Sequence, residues 1–304
     1  MTRLILLICF LALNKTICLD FKLKITEKVV KKHEKALEAL IISLETLPKK
    51  GISTLLIVKP DDNEIEVDQM LSGLKFSVVQ IKGRRRTSSK NSLTLFWFRN
   101  EIQVGEAVET KNFVDTTDNK MFLVFCEDKI GNLILVKMFE SFLAHAIFDV
   151  NVLIFNEESV VMVSFIPFQD NECRNASPVI INVYNEAKRE WLDDNIFPNK
   201  LKNFHRCPLS ISTLEYPPAV MKKILNNGSA HYYGCDIEVL HGLSSAMNFA
   251  VNLAFVAEPY NFGEVSENGS TGAVSHVVTG KADMLMGFFF LSYERLKFLS
   301  HSHP

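Results

Sequence analysis

Short β-rich runs separated by polar spacers are the feature that most constrains the fold of this chain. Four of them occur between residues 52 and 128, with the sequences ISTLLIVK, KFSVVQIK, SLTLFWFR and KMFLVFCED. Spacers rich in Asp, Asn, Gly and Ser separate these runs, a pattern that predicts buried strands. Apolar residues at helical spacing predict helices over 28–47 and 130–149, and VNVLIFNEESVVMVSFIPF predicts a hairpin. Strands alternating with helices predict an α/β domain with a covered sheet.

The N-terminal residues have the pattern of a secretory signal peptide. Arg3 supplies a positive charge, Leu4 to Leu13 form an unbroken apolar run, and small residues follow near Cys18. The apolar core is too short to span a bilayer, and a buried first strand or helix fits poorly because the run begins at residue 4 without a partner. We therefore expect residues 1–18 to be a signal peptide and the chain to enter the secretory pathway.

Removal of this peptide leaves four cysteines, which are Cys126, Cys173, Cys207 and Cys235. In an oxidising compartment they allow three sets of pairings, and the sequence alone does not choose between them. Because Cys173 and Cys207 bracket a polar segment, we hypothesise a disulfide between these two. Three Asn-x-Ser tripeptides, at Asn175, Asn227 and Asn268, are candidate glycosylation sites in polar settings.

Composition limits the classes of partner. The chain has 304 residues and 47% hydrophobic composition, enough for two domains. Its 33 basic and 35 acidic residues are nearly balanced, so nucleic acid is not an expected partner. The basic cluster at residues 82–86 favours a solvated hairpin loop over a polyanion site. After the signal peptide no apolar run reaches about 18 residues, so the chain as given is not expected to cross a membrane.

The order of predicted elements divides the mature chain into an N-terminal α/β domain (19–169), a polar connecting segment (170–206) and a second domain (207–304). The second domain has the predicted order β-α-β-α-β. Its first helix is expected to begin at Asp236 as N-cap, its second to end at Gly280, and the run MLMGFFFLS to form a buried strand that delivers Arg295. This order matches the first half of a bilobed α/β fold, in which ligands bind near strand ends and helix N-termini.

No motif indicates an enzyme, a cofactor or a metal site. The chain contains neither G-x-S-x-G nor H-E-x-x-H, and Gly280-Lys281 lacks the glycine-rich lead-in of a P-loop. His231, Cys235, Asp236 and His241 straddle a turn and a helix start without metal-ligand spacing. We therefore expect no catalysis, no cofactor and no metal.

Several residues of the second domain resemble the first segment of the ligand-binding domain of ionotropic glutamate receptors. They are Gly234 with Asp236, the stretch 258–263, and TGAVSHVVTGKADMLMGFFFLSYERLKFLSHSHP; the resemblance covers about residues 207–304. The entry IFPNKLKNFHRCPLSIST followed by YPP is similar to that of the divergent chemosensory ionotropic receptors of arthropods. The resemblance implies a periplasmic-binding-protein-like fold for this domain.

The resemblance also implies a ligand site. Arg295 matches the arginine that binds the agonist α-carboxylate in the family, a role suited to a planar guanidinium. Taken alone, an arginine after a strand is more often a solvated charge. Phe288 and Phe290 replace a proline and a hydroxyl residue that receive the amino group, Phe262 replaces a tyrosine, and a further aromatic position falls near Pro218. These changes imply a small acid other than an α-amino acid, or a ligand that does not use Arg295; core packing is the alternative for the phenylalanines.

By this resemblance the chain is the extracellular N-terminal part of a chemosensory, ligand-gated cation channel subunit. It would bind a small molecule, assemble with other subunits in a tetramer at the cell membrane, and continue beyond Pro304 into pore helices and a second ligand-binding segment. The alternative is a secreted soluble ligand-binding short form, although half a bilobed domain would expose an apolar face. Asp283 is expected to cap the turn into the last strand rather than to contact a ligand.

Overall fold

The computed structural model describes residues 34–58, 77–81, 92–110, 121–155, 159–256, 261–266, 269–290 and 292–299. The chain divides into two compact units, Met1–Ile166 with Ala176–Pro198, and Pro167–Asn175 with Asn199–Pro304. The predicted signal peptide, the basic cluster at 82–86 and Asn268 lie outside the described residues. No helix within the described part of the chain is both long and apolar enough to cross a membrane.

The strands of the first unit include the four β-rich runs. In chain order the first ten strands are β1 Thr54–Val58, β2 Ser77–Ile81, β3 Ser92–Phe98, β4 Met121–Cys126, β5 Asp149–Phe155, β6 Val160–Phe165, β7 Phe168–Gln169, β8 Glu172–Cys173, β9 Pro178–Asn185 and β10 Glu190–Trp191. Among the described residues, eight of these form one sheet in the order β10-β9-β6-β5-β4-β3-β1-β2. Strands β1 to β5 pair in parallel, whereas β6, β9 and β10 pair antiparallel.

Helices cover both faces of this sheet. They are α1 at residues 34–45, α2 Glu101–Glu109 and α3 Asn132–Ala144. Alternate residues of β3 enter two different cores: Leu95 packs with the α1 residues Leu40 and Leu44, whereas Phe96 packs with Phe139 of α3. A strand buried on both sides needs apolar residues at successive positions, which is why SLTLFWF reads as a continuous run. The predicted covered α/β sheet and the β5–β6 hairpin are confirmed.

The predicted connecting segment at 170–206 requires correction, because the two units share it. Strand β9 pairs with β6, and Trp191 of β10 donates from Nε1 to Ser43 Oγ at 2.9 Å. Asn182, 5% exposed, donates from Nδ2 to Asp193 O at 2.6 Å and accepts from Asp193 N at 3.1 Å. These bonds allow an otherwise costly amide to lie inside the unit, so polar composition alone was a poor guide to this segment.

The second unit contains the short strands β7 and β8 and the elements from residue 208 onward. These are β11 Pro208–Thr213, β12 Met221–Ile224, β13 Ala230–Tyr233, α4 Cys235–Met247, β14 Ala250–Phe255, β15 Val265–Ser266, β16 Gly269–Ser270, α5 Gly272–Val278, β17 Met284–Leu285 and α6 Tyr293–Leu296. Among the described residues, three of these strands form a parallel sheet in the order β14-β11-β17. The order β11-α4-β14-α5-β17 is the predicted β-α-β-α-β series. Mixed α/β structure is therefore present in both units.

A disulfide joins Cys173 of the β7–β8 hairpin to Cys207, the residue before β11. This is the pairing that the bracketing of the polar segment suggested. Of the other cysteines in the described residues, Cys126 is buried and Cys235 is exposed, and both are free thiols.

The start of α4 differs from the prediction. Gly234, not Asp236, is the N-cap residue, and Asp236 lies in the first turn. The N–H groups of Cys235 and Asp236 donate to the carbonyls of Pro218 and Ala219, at 3.2 and 3.1 Å. Gly234 has φ 127°, and a Cβ there would lie 2.4 Å from Ala219 O. Backbone carbonyls therefore satisfy this helix end, and only glycine fits beside them.

The predicted strand MLMGFFFLS is also corrected, because only Met284–Leu285 is a strand. Gly287 and Phe288 have φ values of 128° and 52°, which turn the backbone away from the sheet. A positive φ is uncommon for a residue other than glycine, so the apolar run did not predict that the backbone would turn at Phe288. Gly280, with φ 71°, follows the cap residue Thr279 and ends α5 near the predicted position.

Candidate ligand-binding site

A loop at residues 261–264 is held on the N-terminus of α5. Ala273 N donates to Asn261 O and Val274 N donates to Phe262 O, each at 3.1 Å. These bonds satisfy helical N–H groups that have no partner inside the helix. They also fix the backbone of Phe262, which places its ring.

Gly263 lies at the tightest point of this loop. Its φ is +82°, and a Cβ would meet Thr271 O at 1.8 Å, so no other residue fits without movement of the backbone. Its carbonyl oxygen accepts a hydrogen bond from Arg295 Nη2 at 2.9 Å. The loop therefore supplies both an aromatic ring and an anchor for the arginine.

Arg295 is half-buried and lies in the short helix α6, not at the end of a strand as predicted. Ser292 caps this helix, and its Oγ accepts from Arg295 N at 3.3 Å. The guanidinium also donates from Nη1 to Phe290 O at 2.9 Å. Two carbonyls from separate segments thus orient the guanidinium, which retains further N–H donors for another acceptor.

One phenylalanine ring lies beside the arginine and belongs to a larger group of packed aromatic rings. Arg295 Cζ lies 5.7 Å from the centroid of the Phe289 ring, within cation–π distance. Phe289 packs edge-on against Phe262 at 5.0 Å between centroids, and Tyr216 packs against Phe262 at 5.4 Å and Phe288 at 6.0 Å. We call Tyr216, Phe262, Phe288 and Phe289 the aromatic cluster.

Three of the four predicted site residues belong to this arrangement: Arg295, Phe262 and Phe288. The side chain of Phe290 is 82% exposed, and this residue contributes its carbonyl to Arg295 instead. Phe289 and Tyr216 were missed. Phe288 and Phe290 were predicted from the register of the family resemblance, which does not include Phe289. The same register put the early aromatic position near Pro218, two residues after Tyr216.

No carboxylate of the described residues forms an ion pair with Arg295. Two other arginines are paired within their own units, Arg174 with Asp283 and Arg189 with Glu38. The half-buried guanidinium is held by two neutral carbonyls and lies beside the Phe289 ring, and no described carboxylate offsets its charge. Such a group suits an anion, and a carboxylate best matches its planar donors.

Two further polar groups of the second unit are Asp283, which joins two strands, and Thr213, whose hydroxyl is buried. Asp283 accepts from Ser210 N at 2.9 Å through Oδ2, and its own N–H donates to Ser210 O at 2.7 Å, so it joins the start of β17 to β11. Thr213 Oγ1 is buried and has no hydrogen-bond partner among the described residues. A Cβ on Gly287 would lie 3.6 Å from that hydroxyl, next to the segment that carries Phe288.

A metal site is not visible in the part of the chain that the structure describes, where no three His, Cys, Asp or Glu side chains group together. In particular, the Cys235 thiol donates only to the neighbouring Asp236 carboxylate, at 3.8 Å.

Two family models match the chain, one after the other. Residues 63–203 match "Putative ionotropic receptor, ligand binding domain", and residues 208–304 match "Ligated ion channel L-glutamate- and glycine-binding site". The second match begins at Pro208, the first residue of β11, and includes the aromatic cluster and Arg295. The two matches support the ionotropic receptor family. Ligand-binding domains of ionotropic receptors are not enzymes, and in the family they are extracellular.

Solved structures similar to the chain include the AvGluR1 ligand-binding domain in complexes with methionine, glutamate and phenylalanine. Sequence identities are 19%, 20% and 19%, and TM-scores are 0.28, 0.27 and 0.27. The matches cover 34%, 34% and 32% of this chain and 37%, 37% and 36% of those chains, so the chain spans just over a third of those domains. These TM-scores are too low to support the assignment of this chain to a family. No curated protein matches the chain.

Proposed function

We propose that this chain is the extracellular ligand-binding part of a ligand-gated cation channel subunit of the ionotropic receptor type, with a chemosensory role and a small organic acid as ligand. The observation that carries the ligand class is the Arg295 guanidinium, which lies against Phe289 without a carboxylate partner among the described residues. The family matches support the receptor assignment, since together they extend over both units.

The neighbours of Arg295 argue for an acid without an amino group. An α-ammonium group needs acceptors or a counter-charge, and the aromatic cluster provides mainly ring faces and edges. Attraction of an ammonium to ring faces is about 0.5–1 kcal/mol at exposed sites, which is less than the cost of removing the ammonium from water without acceptors. A ligand whose carboxylate binds Arg295 and whose aliphatic or aromatic tail packs on the aromatic cluster would suit both the guanidinium and the rings.

The two carbonyls that hold Arg295 make this role feasible. Gly263 O and Phe290 O fix the plane of the guanidinium before a ligand arrives, at 2.9 Å each. A donor group that is already ordered loses less conformational entropy when it binds. The backbone turn at Gly287 and Phe288 presents Phe289 to the guanidinium, so both parts of the site depend on the segment 286–292.

The remaining elements of the proposal follow from the receptor assignment. The subunit would assemble with others in a tetramer at the cell membrane, with both units on the extracellular side. A second ligand-binding segment would complete the site around Arg295, and closure of the two lobes would open the pore.

Ligand binding can be measured on the extracellular part encoded by the longest transcript that contains these residues, so that the second ligand-binding segment is present. The readouts are the shift of its thermal unfolding midpoint and calorimetry. The probes are phenylacetate and hexanoate, with their methyl esters and phenylalanine for comparison. Loss of a charge-assisted hydrogen bond costs about 1.5–3 kcal/mol, so Arg295→Gln should weaken acid binding about tenfold or more. Lys297→Gln is the matched control, because Lys297 is exposed and its ammonium pairs with Glu294 and lies 4.8 Å from the centroid of the Tyr293 ring, which is not part of the aromatic cluster.

Equal binding of acids and esters, or unchanged acid binding by Arg295→Gln, would exclude the proposed carboxylate site. The channel role needs a separate measurement, namely current evoked by the same acids in cells that express the longest transcript encoding these residues. Acid binding together with release of the protein into the medium and no current would instead identify a secreted soluble binding protein.

A further inference from the structure

The tip of the β12–β13 hairpin carries one of the Asn-x-Ser tripeptides. Residues 222–231 are all exposed, and the turn is closed by Gly228 N donating to Leu225 O and by Leu225 N donating to Ser229 O, each at 2.9 Å. Gly228 has φ +81°, and no atom lies within 4 Å of the Cβ position there. Asn227 therefore occupies the outermost part of an open turn.

The hydrogen bonds of Asn227 leave its amide nitrogen accessible. Its Oδ1 accepts from Ser229 N at 3.0 Å and from Ser229 Oγ at 2.6 Å. Its Nδ2 makes no hydrogen bond with any described residue. The side chain is thus held by its oxygen, while the nitrogen that would carry a sugar belongs to an exposed residue and has no hydrogen-bond partner among the described residues.

Asn175 is in a different environment. It is half-buried, its Nδ2 donates to the Glu172 carboxylate, and its backbone N–H donates to Pro167 O at 3.0 Å. Cys173, two residues before it, is in the disulfide, and Ala176 is only 8% exposed. A sugar on this nitrogen would compete with the Glu172 contact and with the packing on either side.

Two apolar side chains stand beside Asn227 without burial. Ile224 is 59% exposed and Leu225 is 41% exposed, although both lie within three residues of the asparagine. Exposed apolar residues at a hairpin tip favour association between molecules unless something covers them. A large hydrophilic group on Asn227 would do so.

We propose that Asn227 carries an N-linked oligosaccharide that shields Ile224 and Leu225, and that Asn175 remains unmodified in the folded protein. Asn227 Nδ2 bonds to the anomeric carbon of a polyprenyl-diphosphate-linked oligosaccharide. The carbon–oxygen bond to the diphosphate breaks, the diphosphate leaves with the electron pair, and the amide nitrogen loses one proton to a base of the transferase. This inference rests on the extracellular location in the proposed function but not on ligand binding.

The test expresses the full chain in a eukaryotic secretory host and analyses both the medium and the cell membranes. Peptide N-glycosidase in ¹⁸O-water converts each glycosylated asparagine to labelled aspartate, which mass spectrometry then locates. We expect the label at position 227 and none at 175. Label at 175 but not at 227, or at neither position, would overturn the site assignment.

Variants test the site independently of the label. Asn227→Gln and Ser229→Ala should each lose one glycosidase-sensitive gel shift, whereas Asn175→Gln should keep the wild-type pattern. Asn268→Gln is examined separately, so that a glycan on Asn268 is not mistaken for one on Asn227 when the gel shifts are counted. A wild-type pattern in both Asn227→Gln and Ser229→Ala would contradict the inference.

Shielding is tested by light scattering of the secreted protein. Asn227→Gln should raise the oligomer fraction severalfold, and adding Ile224→Ser and Leu225→Ser should return it to the wild-type level. An unchanged oligomer fraction in Asn227→Gln would refute shielding. The glycosylation assay on Arg295→Gln separates the two proposals: an unaltered glycan at 227 in a variant that no longer binds acids shows that each stands alone.

Discussion

The guanidinium of Arg295 lies 5.7 Å from the centroid of the Phe289 ring while donating a hydrogen bond to the carbonyl of Phe290, the next residue. One short segment therefore provides both an aromatic surface and a polar anchor for the same cation. The pairing depends on a backbone turn at Gly287 and Phe288, both with positive φ. It distinguishes two adjacent phenylalanines that look equivalent in sequence.

Substitution of these two phenylalanines should have unequal effects. Phe289→Ala removes the cation–π contact and the edge-on packing with Phe262, and we expect acid binding to fall about fivefold or more, consistent with about 1 kcal/mol or more for such contacts. Phe290→Ala leaves the carbonyl in place and removes an exposed ring, so binding should change less than about twofold. Calorimetry with phenylacetate measures both; equal losses would show that the assignment of the two rings is wrong.

Gly263 should be intolerant of any side chain. In Gly263→Ala the new Cβ would overlap Thr271 O, and φ +82° disfavours alanine, so we expect destabilisation of about 2 kcal/mol or more and loss of acid binding. Gly242→Ala is the matched control, because Gly242 lies inside α4 with no atom within 4 Å of the Cβ position.

The control variant Gly242→Ala should stabilise the second unit by about 1 kcal/mol, since alanine is a better helix former than glycine. Urea unfolding measured by circular dichroism compares the two variants. A Gly263→Ala protein as stable as wild type would mean that the 261–264 loop is not held as described.

Loss of the disulfide should destabilise the second unit. The bond between Cys173 and Cys207 spans 34 residues, and loop-closure entropy for that length corresponds to about 4 kcal/mol. We expect the Cys173→Ser, Cys207→Ser double variant to show a lower unfolding midpoint. Cys235→Ser, which removes an exposed free thiol, should leave the midpoint unchanged.

Alkaline pH should destabilise the first unit through Cys126. Burial raises the pKa of this thiol from 9.0 to about 12, so above pH 9 the unfolded chain ionises while the folded chain keeps its proton. The unfolded state then binds fewer protons, and the free energy of unfolding falls with rising pH by at most about 1.4 kcal/mol per pH unit.

The measurement compares wild type with Cys126→Ala between pH 8.5 and 10.5. The stability difference between the two proteins should shift in favour of the variant as pH rises. A constant difference across this range would show that Cys126 does not contribute to the pH dependence.

Much of the fold was predictable because its signals are local. Runs such as SLTLFWF and MFLVFC are apolar at successive positions, which only a strand covered on both faces requires, and both are central strands of the first sheet. The β9 strand was missed because Asn182 interrupts its apolar pattern. That asparagine is tolerated inside because it hydrogen-bonds to Asp193, eleven positions later in the sequence.

The sequence by itself determined the alternation of strands and helices and the bracketing of a segment by Cys173 and Cys207, since each depends on residue type and spacing along the chain. Arg295 became a candidate through the family resemblance, because an arginine after a strand is by itself more often a solvated charge. Only the tertiary structure decided that Phe289 rather than Phe290 faces the guanidinium, that Tyr216 joins the cluster, and that neutral carbonyls hold Arg295. The physical reason is that these features depend on positive φ values and hydrogen bonds between distant segments. Positive φ values and these hydrogen bonds are established when a backbone turn packs against the rest of its unit. The periodicity of apolar residues along the chain does not predict them.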